Sequence, residues 1–413
     1  MNIVFFALVA ASFLFALLLG RPEEVGQAAL QSARGSVDLA LGLIGYIALF
    51  LGLMKVVEAA GGLAFMARLL RPLLQRLFPD IPADHPALGA MLMNVSANAL
   101  GLGNAATPFG LKAMKELQSL NPSPESASNA MVLFLALNTS GLALLPTGMI
   151  ALRALHGSAD AAVILPTTLV ATGLSTLAGV SAALLFARLP IFRATPAQRE
   201  ASAMHAASAP AIPWTAFLPL LAFVALLGSL VLLVAAYGAA ASAWILPTLI
   251  LGMLSVGVVR RVRVYETFVE GAREGFDLAI KLIPYLVAIL VAVGMFRASG
   301  GLAWVSARIG PLTEAWGMPA EVLPVAFLRP LSGSGAFGVV AELVETHGPD
   351  GLIGLLATTM NGSTDTTFYV LAVYFGAVGV TRARHAVAAG LSADIVGVLA
   401  SVITVHILLG ALL

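Results

Sequence analysis

Residues 34–73 read RGSVDLALGLIGYIALFLGLMKVVEAAGGLAFMARLLRPL, and residues 273–312 read REGFDLAIKLIPYLVAILVAVGMFRASGGLAWVSARIGPL. Aligned without a gap, Arg34, Asp38, Leu39, Ala40, Tyr46, Gly61, Gly62 and Pro72 recur as Arg273, Asp277, Leu278, Ala279, Tyr285, Gly300, Gly301 and Pro311. A shared apolar composition accounts for matched leucines and alanines. It does not bring Asp, Tyr, Gly-Gly and Pro into one register. Further on, Val170, Ala171, Gly173, Leu174 and Ser175 recur as Val387, Ala388, Gly390, Leu391 and Ser392. The chain is an internal duplication, and in a membrane protein that points to a transporter-type architecture with its site between the halves.

The solvent is lipid. The 413 residues are 59% hydrophobic and 10% charged, against roughly 25% charged in an ordinary soluble domain. Spanning helices need about 20 mostly apolar residues, and about nine stretches qualify: 1–20, 37–56, 129–155, 163–187, 214–237, 240–259, 278–296, 352–377 and 386–412. The first has no basic flank and no clear small-residue cleavage site, so it reads as an anchor rather than a signal peptide. With the N-terminus in the cytoplasm, most Lys and Arg fall on the cytoplasmic side, among them Lys55, Arg68, Arg71, Arg76, Lys112, Lys115 and Arg260. That predicts a multi-pass protein of a bacterial inner membrane. The absence of cysteine excludes disulfides, thiolate metal sites and a Cys nucleophile. A net charge of +1 without a basic run argues against a nucleic-acid partner.

The expected fold is an all-α polytopic membrane protein with two inverted-topology repeats. Each repeat holds an interfacial helix after its Gly-Gly break, a re-entrant hairpin (86–114; 319–346) and a transmembrane helix broken near its middle (129–155; 352–377). Three spans per repeat and an even linking pair (214–237, 240–259) turn the second copy over. The domains follow as an anchor (1–20), a first repeat (34–190), a linker with a helix pair (191–265) and a second repeat (273–413). Within the linker, 194–213 is Ala/Ser/Pro-rich and reads as a flexible segment. Irregular backbone at membrane depth survives only where protein or trapped water satisfies it, so the hairpin tips and breaks are the candidate site. Thr107-Pro108 reads as an N-cap and first-turn pair for the outgoing arm of the first hairpin.

Four polar clusters lie there. The first hairpin offers Asn94, Ser96, Asn98 and Asn104, and the first break Asn138 and Thr139. The second hairpin offers Arg329, Ser332 and Ser334, and the second break Asn361, Ser363, Thr364, Asp365 and Thr366. For any one hydroxyl, helix packing is the competing account; buried amides are costlier and favour function. Charges inside the membrane cost roughly 2.5–3.5 kcal/mol at a helix centre unless paired or hydrated. Arg329 and Asp365 are expected to meet across the second half, and Asp365 and Asp394 are the ion-coupling candidates, Asp394 through a proton or a cation. A purely structural ion pair is the alternative. Asp38 is explained by a local pair with Arg34. The six histidines, His85, His156, His205, His347, His385 and His406, show no metal-ligand spacing, and most read as solvated loop residues. No nucleophile elbow, P-loop or HExxH is present, so neither an enzyme, a metal site nor a cofactor is expected beyond a coupling Na+ or H+. The expected partners are a small polar solute and membrane lipid, with homo-oligomerisation left open.

The run Asn94 to Pro108, NVSANALGLGNAATP, resembles spore maturation protein A, while Pro330 to Ala336 and Gly362 to Tyr369 resemble spore maturation protein B. The likeness covers nearly the whole chain, as a fused A–B form of the nucleoside-recognition, or gate-domain, membrane proteins. It implies distant kinship with concentrative nucleoside transporters, in which hairpin tips and unwound spans hold nucleoside and sodium. Carried over, it implicates Asn94, Asn98, Asn138, Ser332, Asn361 and Asp365. Ion-coupled movement of a nucleoside-like solute is one expectation. A non-transporting membrane factor for cell-envelope or spore-maturation-type processes is the other. Neither substrate, direction nor coupling ion is legible in the residues.

Overall fold

The computed structural model describes residues 2–207, 212–237 and 239–410, and they are almost entirely helical. In chain order α1 (Asn2–Leu19) comes first, and the helices of the first repeat follow as α2 (Pro22–Ala59), α3 (Gly62–Leu77), α4 (Pro86–Ala99), α5 (Gly103–Ser119), α6 (Asn129–Thr139), α7 (Thr147–Leu155) and α8 (Leu165–Phe186). The connection holds α9 (Pro196–Ala207), α10 (Leu218–Tyr237), α11 (Ala239–Ser242) and α12 (Ile245–Val259). The second repeat follows as α13 (Val264–Ala298), α14 (Gly301–Glu314), α15 (Leu323–Leu328), α16 (Gly333–His347), α17 (Leu352–Ser363), α18 (Thr367–Gly376) and α19 (Ala386–Leu409).

Among the described residues five continuous helices are long and apolar enough to cross a bilayer: Pro22–Ala59, Leu165–Phe186, Trp214–Val234, Val264–Ala298 and Ala386–Leu409. The expected spans 129–155 and 352–377 are each split in two, as α6 and α7 and as α17 and α18. The expected spans 37–56 and 278–296 are the apolar ends of longer helices, because the polar residues ahead of them (Gln31, Arg34; Glu270, Arg273) are good helix formers. Gly61 and Gly300 stand at left-handed φ of 89° and 82° before α3 and α14, a conformation that L side chains rarely adopt. On α3 the buried face is Leu63, Met66, Leu69, Leu70 and Leu74, with Arg68, Arg71 and Arg76 exposed.

Corresponding helices of the two copies pair antiparallel, as an inverted duplication requires. Along α2 and α13, Gly271 lies against Leu51 and Lys55, Gly275 against Ala48, and Gly294 against Ser32. Along α8 and α19, Gly179 faces Ala393, and the Thr404 hydroxyl donates to the Thr167 carbonyl at 3.5 Å. The loops at the ends of the broken helices exchange partners in the same sense. Ahead of α6, Glu125 O accepts the amides of Thr381 and Arg382 at 3.0 and 2.9 Å, from the loop behind α18. Behind α7, the wholly buried Arg153 donates to Ala161 O at 3.3 Å, Ser158 Oγ at 3.0 Å and Pro349 O, and pairs with Asp350 at 2.8 Å, ahead of α17. Arg384 performs the matching task at the other end, donating to Ala127 O and Asn129 Oδ1, both at 2.9 Å.

The two largest apolar cores among the described residues each draw on both copies. One joins the first hairpin (α4, α5) and α6 to Val370, Leu371, Tyr374 and Phe375 of α18. The other joins the second hairpin (α15, α16) and α17 to Met149, Ile150, Ala151 and Leu152 of α7.

Three expectations are corrected. Helix α5 starts at Gly103 with Leu102 as its cap, whose carbonyl accepts the Ala106 amide at 3.0 Å, so Thr107-Pro108 lies inside the helix. A proline so near an N-terminus removes only one bond of the ladder. The segment 194–213 contains α9 rather than a wholly flexible tether. There the buried Gln198 donates to Asn121 Oδ1 at 2.9 Å and Ser126 O at 3.0 Å, which docks the helix on the loop before α6. Finally, His385 is not solvated. It is fully buried with its ring 5.8 Å from that of Phe192, and burial beside the Arg384 charge pushes its pKa down to about 4.

Candidate functional site

The two helix breaks touch through their backbones. Gly141, at φ 60°, is so placed that a Cβ would fall 2.6 Å from the Thr364 carbonyl carbon and 2.7 Å from the Asp365 nitrogen. Only glycine allows both the left-handed turn and this approach. The contact is sealed by Asp365 N–H donating to Thr139 O at 2.8 Å. Each hairpin tip is then tied to the break of its own repeat: Leu144 N–H donates to Ala99 O, and Phe368 N–H to Pro330 O, both at 2.9 Å. The site is thus built from four interruptions in helical structure, held together by main-chain bonds rather than side-chain identity.

Between them lies a cavity of about 260 Å³. Its polar walls are Asn98, Thr147, Arg329, Asn361, Thr364 and Asp365, closed by Gly141, Met149 and Phe337. Arg329 reaches in from the second hairpin tip, donating to the Thr364 carbonyl and standing 3.9 Å from Asp365 Oδ1. Asp365 Oδ1 also accepts the amide of the next residue, Thr366, at 2.7 Å. Asn361 is 9% exposed; its Nδ2 meets only the soft Met149 sulfur at 3.4 Å and its Oδ1 has no hydrogen-bond partner among the described residues. Such an amide retains a donor and an acceptor for something entering the cavity.

Two larger cavities adjoin it. One of about 430 Å³ shares Gly101, Thr147, Gly148 and Phe337 with the central space and is bordered by Lys55, Glu58 and Glu274. The other, of about 610 Å³, shares Asp365 and is lined by Ser332, Ser334, Thr366, Tyr285 and Tyr369. On α13 the first is bordered by Glu274, Leu278 and Leu282, the second by Tyr285, Ala288 and Ile289. At 1.5 Å per residue their centres are about 14 Å apart along that helix. The two neighbouring spaces therefore lie at different levels along α13.

The candidate residues divide into three groups. Asn98, Arg329, Asn361, Thr364 and Asp365 line the central cavity, and Ser332, Ser334 and Thr366 its neighbour. Ser332 Oγ also accepts the Gly335 amide at 3.0 Å as the cap of α16. Asn138 and Asn94 stand behind the cavity in one network: Asn98 Nδ2 donates to Asn138 Oδ1 at 3.0 Å, Tyr374 OH to the same oxygen at 3.4 Å, and Asn94 Nδ2 to Tyr374 at 3.2 Å. Ser96, Thr139 and Ser363 are turned into helix packing, and Asp394 lies buried behind the second break. Thr139 and Ser363 hydroxyls bond back to Ala136 O and Met360 O at 3.2 and 2.8 Å, and Ser96 is fully buried away from the cavity lining. The side chains of Asn104 and His205 lie outside the described residues.

Tyr374, which joins the two halves of this network, is absent from the sequence-derived candidates. Nothing local distinguishes it from the apolar run of α18 (TFYVLAVYFG). Its partners are 280 and 236 residues away.

Against known proteins, the profile of the gate family, described as nucleoside recognition, matches residues 40–155 and 279–381. Spore maturation protein B of Bacillus subtilis (strain 168) is 49% identical over 166 residues, 40% of this chain and 93% of that protein. Spore maturation protein A of the same organism is 41% identical over 174 residues, 42% of this chain and 89% of that protein. A solved structure of CNTnw in an inward-facing substrate-bound state aligns with 98% of this chain and 91% of its own at 15% identity, with a TM-score of 0.41.

Proposed function

The chain belongs to the nucleoside-recognition (gate) family, and on that premise we propose that it binds a small polar, nucleoside-like solute and carries it across the membrane, driven by sodium or protons. The observation that carries the reading is the central cavity, where Asn98 and Arg329 from the two hairpin tips meet Asn361 and Asp365 from the second break, with Gly141 and Thr147 of the first break beside them. Paired charges supply orientation, and the underused Asn361 amide supplies a donor–acceptor pair suited to a heterocycle edge or a sugar hydroxyl. The adjoining cavities supply approach from two levels. In this reading the protein sits in a bacterial inner membrane with its N-terminus in the cytoplasm.

The test is twofold. Purified protein is screened by thermal shift against nucleosides, nucleobases and dicarboxylates, with and without sodium. Uptake of whatever stabilises it is then measured in proteoliposomes. Asp365→Asn should abolish ion-driven uptake while the protein remains folded. No stabilisation by any solute, or uptake that is indifferent to Asp365, refutes transport through this cavity.

A second reading is favoured by the names of the two relatives, both spore maturation proteins. Here the chain binds a solute or partner without moving it and acts on the cell envelope. Solute-dependent stabilisation without uptake separates it from the first.

A further inference from the structure

Behind the second break, on the side away from the cavity lining, lies a carboxylate that the solute site does not use. Asp394 of α19 is 4% exposed. Its Oδ2 accepts the Thr367 hydroxyl at 2.7 Å, and its Oδ1 has no hydrogen-bond partner among the described residues. The packing around it is close. A Cβ on Gly390 would fall 2.5 Å from the Thr367 methyl, and one on Gly397 2.5 Å from the Thr364 methyl and 3.1 Å from Ser363 Oγ.

The elements packed on this carboxylate bring it little charge. From α8 and α6 come hydroxyls, Ser175 and Thr139. The charged groups that face it are Arg329, from the second hairpin tip, and Asp365, from the break. Arg329 already stands 3.9 Å from Asp365. One guanidinium and two carboxylates leave the cluster with an excess negative charge, and a buried unpaired charge is strongly disfavoured. A hydrated cation needs room and several free oxygens. The close packing at Gly390 and Gly397 leaves little room for one, whereas a proton needs no space.

We propose that Asp394 holds a proton in the conformation described, and that this proton neutralises the Arg329–Asp365–Asp394 cluster. The proposal deepens the reading of a coupled carrier and rests on it for its consequence, but the proton itself does not depend on transport. The coupling route is short. Thr364 gives its carbonyl to Arg329, Asp365 borders the solute cavity, and Thr367 holds Asp394, all within one non-helical turn and its cap. A solute that engages Arg329 or Asp365 alters the field at Asp394 and so the retention of the proton.

Infrared difference spectroscopy of the purified full chain near neutral pH tests this. Wild type should show the carbonyl stretch of a protonated carboxylic acid. Asp394→Asn should lose that band, Asp394→Glu should restore it at a shifted position, and Asp365→Asn should weaken it, because Arg329 then balances Asp394 alone. Replacing sodium by choline in wild type should leave it unchanged. No band, a band indifferent to Asp394→Asn, or a band that sodium abolishes overturns the proposal, the last in favour of a cation. If Asp394→Asn does not fold, the sodium exchange and Asp394→Glu still decide. In proteoliposomes, a pH gradient should drive uptake in wild type and not in Asp394→Asn. A band without any uptake leaves the proton in place and refutes the transport reading alone.

Discussion

Substituting Gly141 by alanine isolates the contact on which the central site depends. The residue stands at φ 60°, where an L side chain costs about 1–2 kcal/mol. The added methyl falls 2.6 Å from the Thr364 carbonyl carbon, a backbone atom that no rotamer change can move aside. The breaks must separate, and the bond from Asp365 N–H to Thr139 O, 2.8 Å long, is stretched or lost. A buried donor left unmet costs about 1–3 kcal/mol. Together these give roughly 2–5 kcal/mol. A destabilisation of that size lowers the melting temperature by about 4–10 °C, allowing somewhat less than the few degrees per kcal/mol of smaller domains. Gly173→Ala is the control: the residue lies in α8 with nothing within 4 Å of its added Cβ. There alanine gains about 0.5–1 kcal/mol of helix stability. Thermal unfolding in one detergent at one scan rate compares the three proteins. The reasoning is refuted if Gly141→Ala melts with wild type, or if both variants shift alike.

The absence of cysteine gives a clean background for a distance test. Gly179→Cys with Ala393→Cys, whose Cβ atoms would stand 3.1 Å apart, should crosslink on mild oxidation, and no crosslink would contradict this contact between α8 and α19. Tyr374→Phe should destabilise by about 1–2 kcal/mol in thermal unfolding, because Asn94 Nδ2 and Asn138 Oδ1 each lose a partner in a buried network; an unchanged midpoint would remove Tyr374 from that role. His385 has a pKa lowered from 6.5 to about 4 in the folded protein, so the unfolded chain binds the extra proton first. Its contribution is intact above pH 6.5 and is lost progressively as pH falls toward 4, by on the order of 2–3 kcal/mol. Melting curves across that window should flatten in His385→Phe, and an identical pH slope in both proteins contradicts the assignment.

The duplication was legible because its marks are chemically expensive. Asp, Tyr and paired glycines do not recur by chance in a chain rich in leucine and alanine, and they carried the inverted plan, the hairpins and the broken helices. Boundaries were less legible. Gln31, Arg34, Glu270 and Arg273 look like loop residues to hydropathy, yet they extend α2 and α13 because charge and polarity do not interrupt a helix. Thr107-Pro108 misled for the opposite reason: its chemistry suits a cap, but the helix had already started at Gly103. At the site, the polar types marked which segments matter but not which way each side chain turns. Thr139 and Ser363 read like ligands and bond back to their own helices, while His385 reads like a solvated group and is buried, as Arg153 is too. The burial of Arg153 and His385 depends on Pro349, Asp350 and Phe192, more than a hundred residues distant, which one sequence does not pair.

Because each hairpin is packed by a half-helix donated from the other copy, neither half of the chain is a self-sufficient folding unit. Severed in the connection between α8 and α13, the two pieces would each display an unfilled apolar groove and a half-helix with nowhere to dock. They would have to find one another in the plane of the bilayer and complete both grooves at once. A continuous polypeptide turns that encounter into an intramolecular one, at an effective concentration set by its own linker. It also guarantees that every copy of one piece is born with its complement.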